Sequence, residues 1–352
     1  NSEITVSSAD DADVNAVRST NDEGNNFYIS WTRTDNNDNL NIVVSRSANS
    51  GTSWNSAVEI DGVGDAEQRG LGFIDADSSK IVALWVDVYD GDGASSDPDI
   101  YCSYSSNDGS SWSDLEEIGS DQYYEADSFA PALAYSNDYV YAVYWDGGDN
   151  DPEGDTNGND VMNDDGDIFF RRSADDGENW DDVIVISNSD TDGMTYDPPS
   201  YASYYYAYYR SDIAASGSNV YVVWSNYDYD NAQYEIRFSK STDSGNTWSD
   251  VSVISSSSAD TINSYGPTIT ADGNDVYVAW QQYSYDGTTT AYNIISRHSS
   301  NRGDSWNSAT TVTDSDGTHY IPEIAYGNDV LHLTWHTYNT DGNARYSIEY
   351  AS

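Results

Sequence analysis

The sequence predicts an all-β repeat protein, and three observations make the case. A motif of the form Ser-x-Asp/Asn-x-Gly-x-x-Trp occurs five times, at 47–54, 105–112, 173–180, 241–248 and 299–306. Six segments of alternating character end in tryptophan, at Trp31, Trp85, Trp145, Trp224, Trp280 and Trp335, and Val276-Tyr277-Val278-Ala279-Trp280 shows the two-residue period of a half-buried strand most clearly. Asp greatly outnumbers Glu, which favours turns over helices. A recurring supersecondary unit of this kind defines a repeat architecture.

Each part of the motif has a local reason. Asp or Asn at the third position bonds nearby backbone in an Asx-type turn, and Gly two residues later takes a positive φ at no steric cost. The closing tryptophan is a large apolar plug that fixes the turn to the sheet beneath it. The five copies resemble the Asp-box, or bacterial neuraminidase repeat, of the sialidase-like propellers. Asp175 and Asp243 match the box, while Asn49, Asn107 and Asn301 place an amide where the acid stands. The resemblance covers nearly the whole chain. It implies a six-bladed β-propeller of four-stranded antiparallel blades, with the boxes as structural hairpins on the face away from the active site.

Taken in order, the chain opens on Asn1-Ser2-Glu3-Ile4-Thr5-Val6, which matches the segments that follow box tryptophans, such as Asn55-Ser56-Ala57-Val58-Glu59-Ile60 and Asn307-Ser308-Ala309-Thr310-Thr311-Val312. It reads as an outer strand without a blade of its own. Inner strands come next in each repeat. Pro131-Ala132-Leu133-Ala134, Pro267-Thr268-Ile269-Thr270 and Pro322-Glu323-Ile324-Ala325 start on proline, which suits a first strand position, and 15–18, 72–75 and 211–214 are their equivalents. Middle strands end at the six tryptophans, and a third strand leads into each box. The last segment, Ile348-Glu349-Tyr350-Ala351-Ser352, leads into a box that is not there. The simplest closure therefore pairs 4–7 with 346–350 in a shared closing blade; the alternative is that the N-terminal strand completes a neighbouring subunit.

A repeat carries one architecture beyond the usual domain size, so the 352 residues are expected to form a single domain over 1–352. The formal charge of -48, with two lysines, makes nucleic acid and anionic membrane poor partners. Two explanations of the acidity stand: solvation in high salt, or carboxylate-rich loops that hold calcium outside the cell. The lone Cys102, in a strand-like segment, is expected to be a buried free thiol. No apolar run is long enough to span a bilayer, no leader is recognisable and no Asn-x-Ser/Thr sequon occurs. The expected location is extracellular or the cell surface.

Candidate chemistry gathers in two long loops and at the starts of the inner strands. The loop 146–167 holds Asp146, Asp149, Asp151, Asp155, Asp160, Asp164, Asp165 and Asp167. Oxygen ligands on such a loop suit Ca²⁺, although Asp160 stands where the EF-hand-like spacing from Asp155 requires Gly. The loop 187–208 is rich in tyrosine. Phe129, Tyr209, Tyr265 and Tyr320, with Arg210, are the expected binding residues of the mouth.

The resemblance also supplies a test of activity. Sialidases hold the substrate carboxylate with three arginines, one in an Arg-Ile-Pro motif at an inner-strand start. Here Tyr320-Ile321-Pro322 occupies that place, so the clamp is not recognisable, and only Arg69 and Arg210 remain near inner-strand starts. The sequence is thus read first as a non-catalytic, self-associating adhesive or structural module that contacts carbohydrate or a surface protein. The alternative is a glycoside hydrolase that acts on an extracellular polysaccharide through carboxylates such as Asp212 and Glu323. The histidines, His298, His319, His332 and His336, show no metal-ligand spacing.

Overall fold

The computed structural model describes residues 4–7, 12–22, 24–34, 40–61, 73–87, 99–119, 128–146, 167–187, 210–228, 231, 233–255, 262–285, 290–313, 317–339 and 345–352. Among them every regular element is a β-strand. The first sheet runs β1 (Ala12–Asn21), β2 (Phe27–Thr34), β3 (Leu40–Ser47) and β4 (Val58–Glu59), and the second β5 (Phe73–Asp77), β6 (Lys80–Asp87), β7 (Asp99–Ser105) and β8 (Glu116–Glu117). The third holds β9 (Ser128–Ser136), β10 (Tyr139–Asp146), β11 (Asp167–Ser173) and β12 (Ile184–Val185), and the fourth β13 (Ser211–Ser216), β14 (Asn219–Asp228), β15 (Gln233–Ser241) and β16 (Ser252–Val253). Next come β17 (Ile262–Asp272), β18 (Asp275–Tyr285), β19 (Thr290–Ser299) and β20 (Thr310–Thr311), then β21 (Thr318–Gly327), β22 (Val330–Asn339) and β23 (Arg345–Ala351). A single parallel pairing, Tyr292 with Thr318, joins these last two meanders into one sheet.

In the first five meanders the predicted strand order therefore holds: inner, middle, third and a short outer strand, each hydrogen-bonded to the next; in the last, three strands are described. All six strand-ending tryptophans are buried. The middle strands explain why: β6, β10 and β14 are buried on both faces along nearly their whole length rather than on alternate residues. Burying one such large side chain is worth about 1.5–3 kcal/mol.

The chain divides into two compact units, Asn1–Asn150 with Phe170–Ile184, and Asp151–Phe169 with Val185–Ser352. In the first unit, Tyr28, Ile42 and Ile60 of the first sheet and its box tail pack against Ile74, Ile81 and Trp85 of the second. Asp75 ties three inner strands together: Thr20 Oγ1 on β1 donates to it at 2.7 Å and the Tyr135 amide on β9 at 2.8 Å. In the second unit, Tyr221, Ile236 and Phe238 pack against Ile269, Val278 and Trp280, and Ala279 and Ile294 pack against Leu333 and Trp335.

The five boxes share one hydrogen-bond pattern. The serine hydroxyl accepts the glycine amide, at 2.9 Å for Gly51 and Gly109 and 2.8 Å for Gly177, Gly245 and Gly303. The Asp or Asn oxygen accepts the serine hydroxyl and the amide four residues on, as when Asp243 takes Ser241 Oγ at 2.7 Å and Thr247 N at 2.9 Å. Two consecutive residues, not the glycine alone, lie in the left-handed region: Ser244 at φ 59° and Gly245 at φ 83° in one box, Asp176 and Gly177 at 65° and 94° in another. After each box the chain forms the outer strand, and the next residue donates back to the third strand, as Ile60 N does to Ile42 O at 3.0 Å and Ile254 N to Ile236 O at 2.9 Å.

The last meander differs. Ile348 corresponds to Ile42, Ile100, Ile236 and Ile294, all fully buried, yet it is 75% exposed, and Tyr350 is 57% exposed. Strand β23 is registered against β22, and residues 4–7 carry no strand structure.

Candidate functional site

Inner strands β9, β17 and β21 begin with the same irregularity. Phe129-Ala130-Pro131, Tyr265-Gly266-Pro267 and Tyr320-Ile321-Pro322 each place the residue before proline in the left-handed region, at φ 51°, 54° and 52°. The antiparallel register slips at each of these points. Such bulges re-aim side chains and recur beside binding sites. For Ile321, a β-branched residue, this backbone is strained, and strain of this kind clusters at functional positions.

Within the second unit the bulges of β17 and β21 converge on Arg210, just before β13. Its Nε donates to Pro267 O at 2.9 Å, Nη2 to Pro322 O at 2.7 Å and Nη1 to Glu323 Oε1 at 2.6 Å. The residue is only 6% exposed. Asp212, two positions on, accepts the Ile213 amide at 3.0 Å and the Ile269 amide at 2.9 Å. Burial drives the Asp212 carboxyl above its usual range; the Arg210 charge opposes this only in part, and the Glu323 charge adds to it. Glu323 keeps 47% of its side chain exposed while held by the guanidinium. Two carboxyl groups within electrostatic reach thus have opposed environments, one favouring the protonated form and one paired with a cation.

Tyr265 and Tyr320 stand two residues before the prolines whose carbonyls Arg210 binds, and each ends a chain of rings. Tyr227, Tyr234 and Tyr265 form a chain of rings with centroids 4.9 Å apart at both steps. One sheet further on, Tyr283, Tyr292 and Tyr320 repeat it at 5.1 and 5.8 Å. All six rings are half-buried.

The expected binding residues fare differently. Arg210, Tyr265 and Tyr320 come together in the second unit. Phe129, in the first, is 5% exposed and stacked on Trp145 at 5.8 Å, a packing position. Tyr209 and Arg69 lie outside the described residues, as do Asp149, Asp151, Asp155, Asp160, Asp164 and Asp165 of the expected calcium loop. The loop's two described carboxylates accept serine hydroxyls, Asp146 from Ser128 at 2.9 Å and Asp167 from Ser187 at 2.6 Å. They do not by themselves build a calcium site, and no cluster of three metal-ligating side chains occurs among the described residues. Cys102 is buried and free, as expected, with burial pushing its thiol up to about 12.

Sequence reasoning missed the committed state of Arg210 and the two ring chains. The rings had a signal: Tyr227 and Tyr283 each stand three residues after a strand tryptophan.

No protein-family model matches the chain, and no curated protein does. Solved structures do. An α-L-arabinofuranosidase of Fusarium graminearum, of glycoside hydrolase family 93 and solved with arabinobiose, is 12% identical with a TM-score of 0.55, over 99% of this chain and 96% of its own. A Penicillium chrysogenum α-L-arabinanase, also with arabinobiose, is 13% identical with a TM-score of 0.53, over 96% and 93%. The NanB sialidase of Streptococcus pneumoniae is 11% identical with a TM-score of 0.54, over 96% and 68%. At these identities the likeness speaks of fold: antiparallel sheets of the kind found in the propeller glycoside hydrolases.

Proposed function

We propose that this chain is a glycoside hydrolase, with Asp212 as general acid and Glu323 as its carboxylate partner. The observation that carries the reading is the opposed environments of these two groups beside half-buried tyrosines. Protonated Asp212 delivers its proton to the glycosidic oxygen as the bond to the anomeric carbon breaks. Glu323, ionised against Arg210, attacks that carbon or takes a proton from the attacking water. Arg210 is a positioning residue: it holds the Glu323 carboxylate and the Pro267 and Pro322 carbonyls in one arrangement. Support comes also from the fold shared with carbohydrate hydrolases. The test is sugar release from polysaccharides by the intact protein and by Asp212→Asn and Glu323→Gln. Loss of about 100-fold or more in both is expected from removing general acid-base groups; unchanged release would sink the assignment.

We also propose six blades, the last completed by 4–7 beside β23. The sequence match of 1–6 to the box tails supports this, as does the uncovered Ile348. The acidic composition supports two further proposals, a location outside the cell or at its surface and Ca²⁺ bound by the loop 146–167. Self-association, or docking on a surface protein as an adhesive module, is the second reading, favoured by the same exposed edge of β23.

A further inference from the structure

The strand tryptophans and third-strand isoleucines provide a fixed frame for comparing sheets. Three residues after the tryptophan and two before the isoleucine stand Tyr227 and Tyr234 in the fourth meander, Tyr283 and Tyr292 in the fifth, and Tyr338 and Tyr346 in the sixth. Each pair is directly opposed in the ladder. In the first three meanders the same positions read Thr34 and Leu40, Val88 and Pro98, Gly148 and Gly166. The sheets therefore form without tyrosine at these places. Packing alone does not explain why it recurs in three successive meanders, all in the unit that holds Asp212 and Glu323.

Half-buried tyrosine rings offer flat apolar area with a polar tip, the surface that stacks on the C–H face of a sugar. The half-buried rings of the fourth and fifth meanders, one set in each, suit several consecutive sugars better than one. Charge decides the kind of sugar. The Arg210 guanidinium is turned onto two carbonyls and Glu323 rather than outward, and Arg237 on the neighbouring β15 lies 3.3 Å from Glu235. A carboxylated sugar entering beside Glu323 meets that carboxylate, while Arg210, the cation at this place among the described residues, is already engaged by it and by two carbonyls.

We infer that the site takes an uncharged glycan chain laid along a tyrosine track, not a terminal sialic acid. The inference rests on the hydrolase reading for its location but is tested separately from it. Titrating the intact protein calorimetrically with neutral arabino-, xylo- and gluco-oligosaccharides of two to six units, and with sialyllactose, measures binding without requiring turnover. Affinity for one neutral series should rise with length and exceed that for sialyllactose. Tyr234→Ala and Tyr292→Ala should each weaken it by about 3- to 10-fold, and Tyr→Phe at either position should restore it, with melting midpoints confirming that the variants fold. Preference for sialyllactose, affinity independent of length, or alanine variants that bind like the parent would each overturn the track. Length-dependent binding without any sugar release would leave the track standing and remove the hydrolase reading alone. Cleavage with no effect of the tyrosine substitutions would do the reverse.

Discussion

Asp243 shows how much a single box residue contributes. Hydrogen bonds from the Thr247 side chain and backbone, and from the Ser241 hydroxyl, hold its carboxyl down to about 2 from 3.8. A depressed folded pKa means stability that is complete above the ordinary value and lost as pH falls towards 2. Asn fills the same place in three other boxes and keeps the acceptor oxygen, for Asn301 takes the Ser305 amide at 3.0 Å. Asp243→Asn should therefore melt like the parent at pH 7 and show a flatter acid limb in thermal melts from pH 2 to 7. Asp243→Ala leaves the Thr247 and Ser241 donors without their acceptor and should lower the midpoint by several degrees at pH 7. An alanine variant as stable as the parent would refute this account of the turn. The box was legible in the sequence because the bonds that Ser, Asp and Gly make in it are all local, within four residues. The left-handed backbone of Ala130 and Ile321 was not, because neither residue favours that region and proline biases its predecessor towards extended backbone.

At the scale of elements, strand order was readable from alternation, while the joins between strands were not. Arg210 bonds to residues 57, 112 and 113 positions away, and no local pattern announces such a tie. The proposed closing strand, by contrast, has a sequence signature with a definite register. Val6 stands where Ile60, Ile118, Ile186 and Ile254 are buried, and Thr5 where Glu59 and Glu117 are found. Val6→Asp should then cost about 2–4 kcal/mol in denaturant unfolding, as expected for a charge placed in a buried apolar site, and Thr5→Glu should cost nearly nothing. Equal, small effects of the two substitutions would argue against the shared closing blade.

For the molecule as a whole, charge and catalysis are separable questions. If the loop 146–167 binds Ca²⁺, millimolar calcium should raise the melting midpoint over an EGTA control by linkage, and equal ionic strength of KCl should not. A rise that appears only in molar KCl would mean screening of the net charge of -48 and would dismiss the calcium proposal. The fold was legible from tryptophans and boxes because repeats state it many times. The site was less so: forty-nine aspartates leave no carboxylate distinguished by type, Asp75 shares the burial and raised carboxyl of Asp212, and the Glu323 carboxylate held by Arg210 is what marks Asp212 as one of a pair. The measurement that bears most directly on the hydrolase reading is reducing-sugar release from a panel of neutral and acidic polysaccharides, from pH 4 to 9, by the parent, Asp212→Asn and Glu323→Gln. The account predicts release from a neutral polymer that falls about 100-fold or more in both variants while their melting midpoints stay close to the parent's. Release from none of the polymers, or variants as active as the parent, would contradict it.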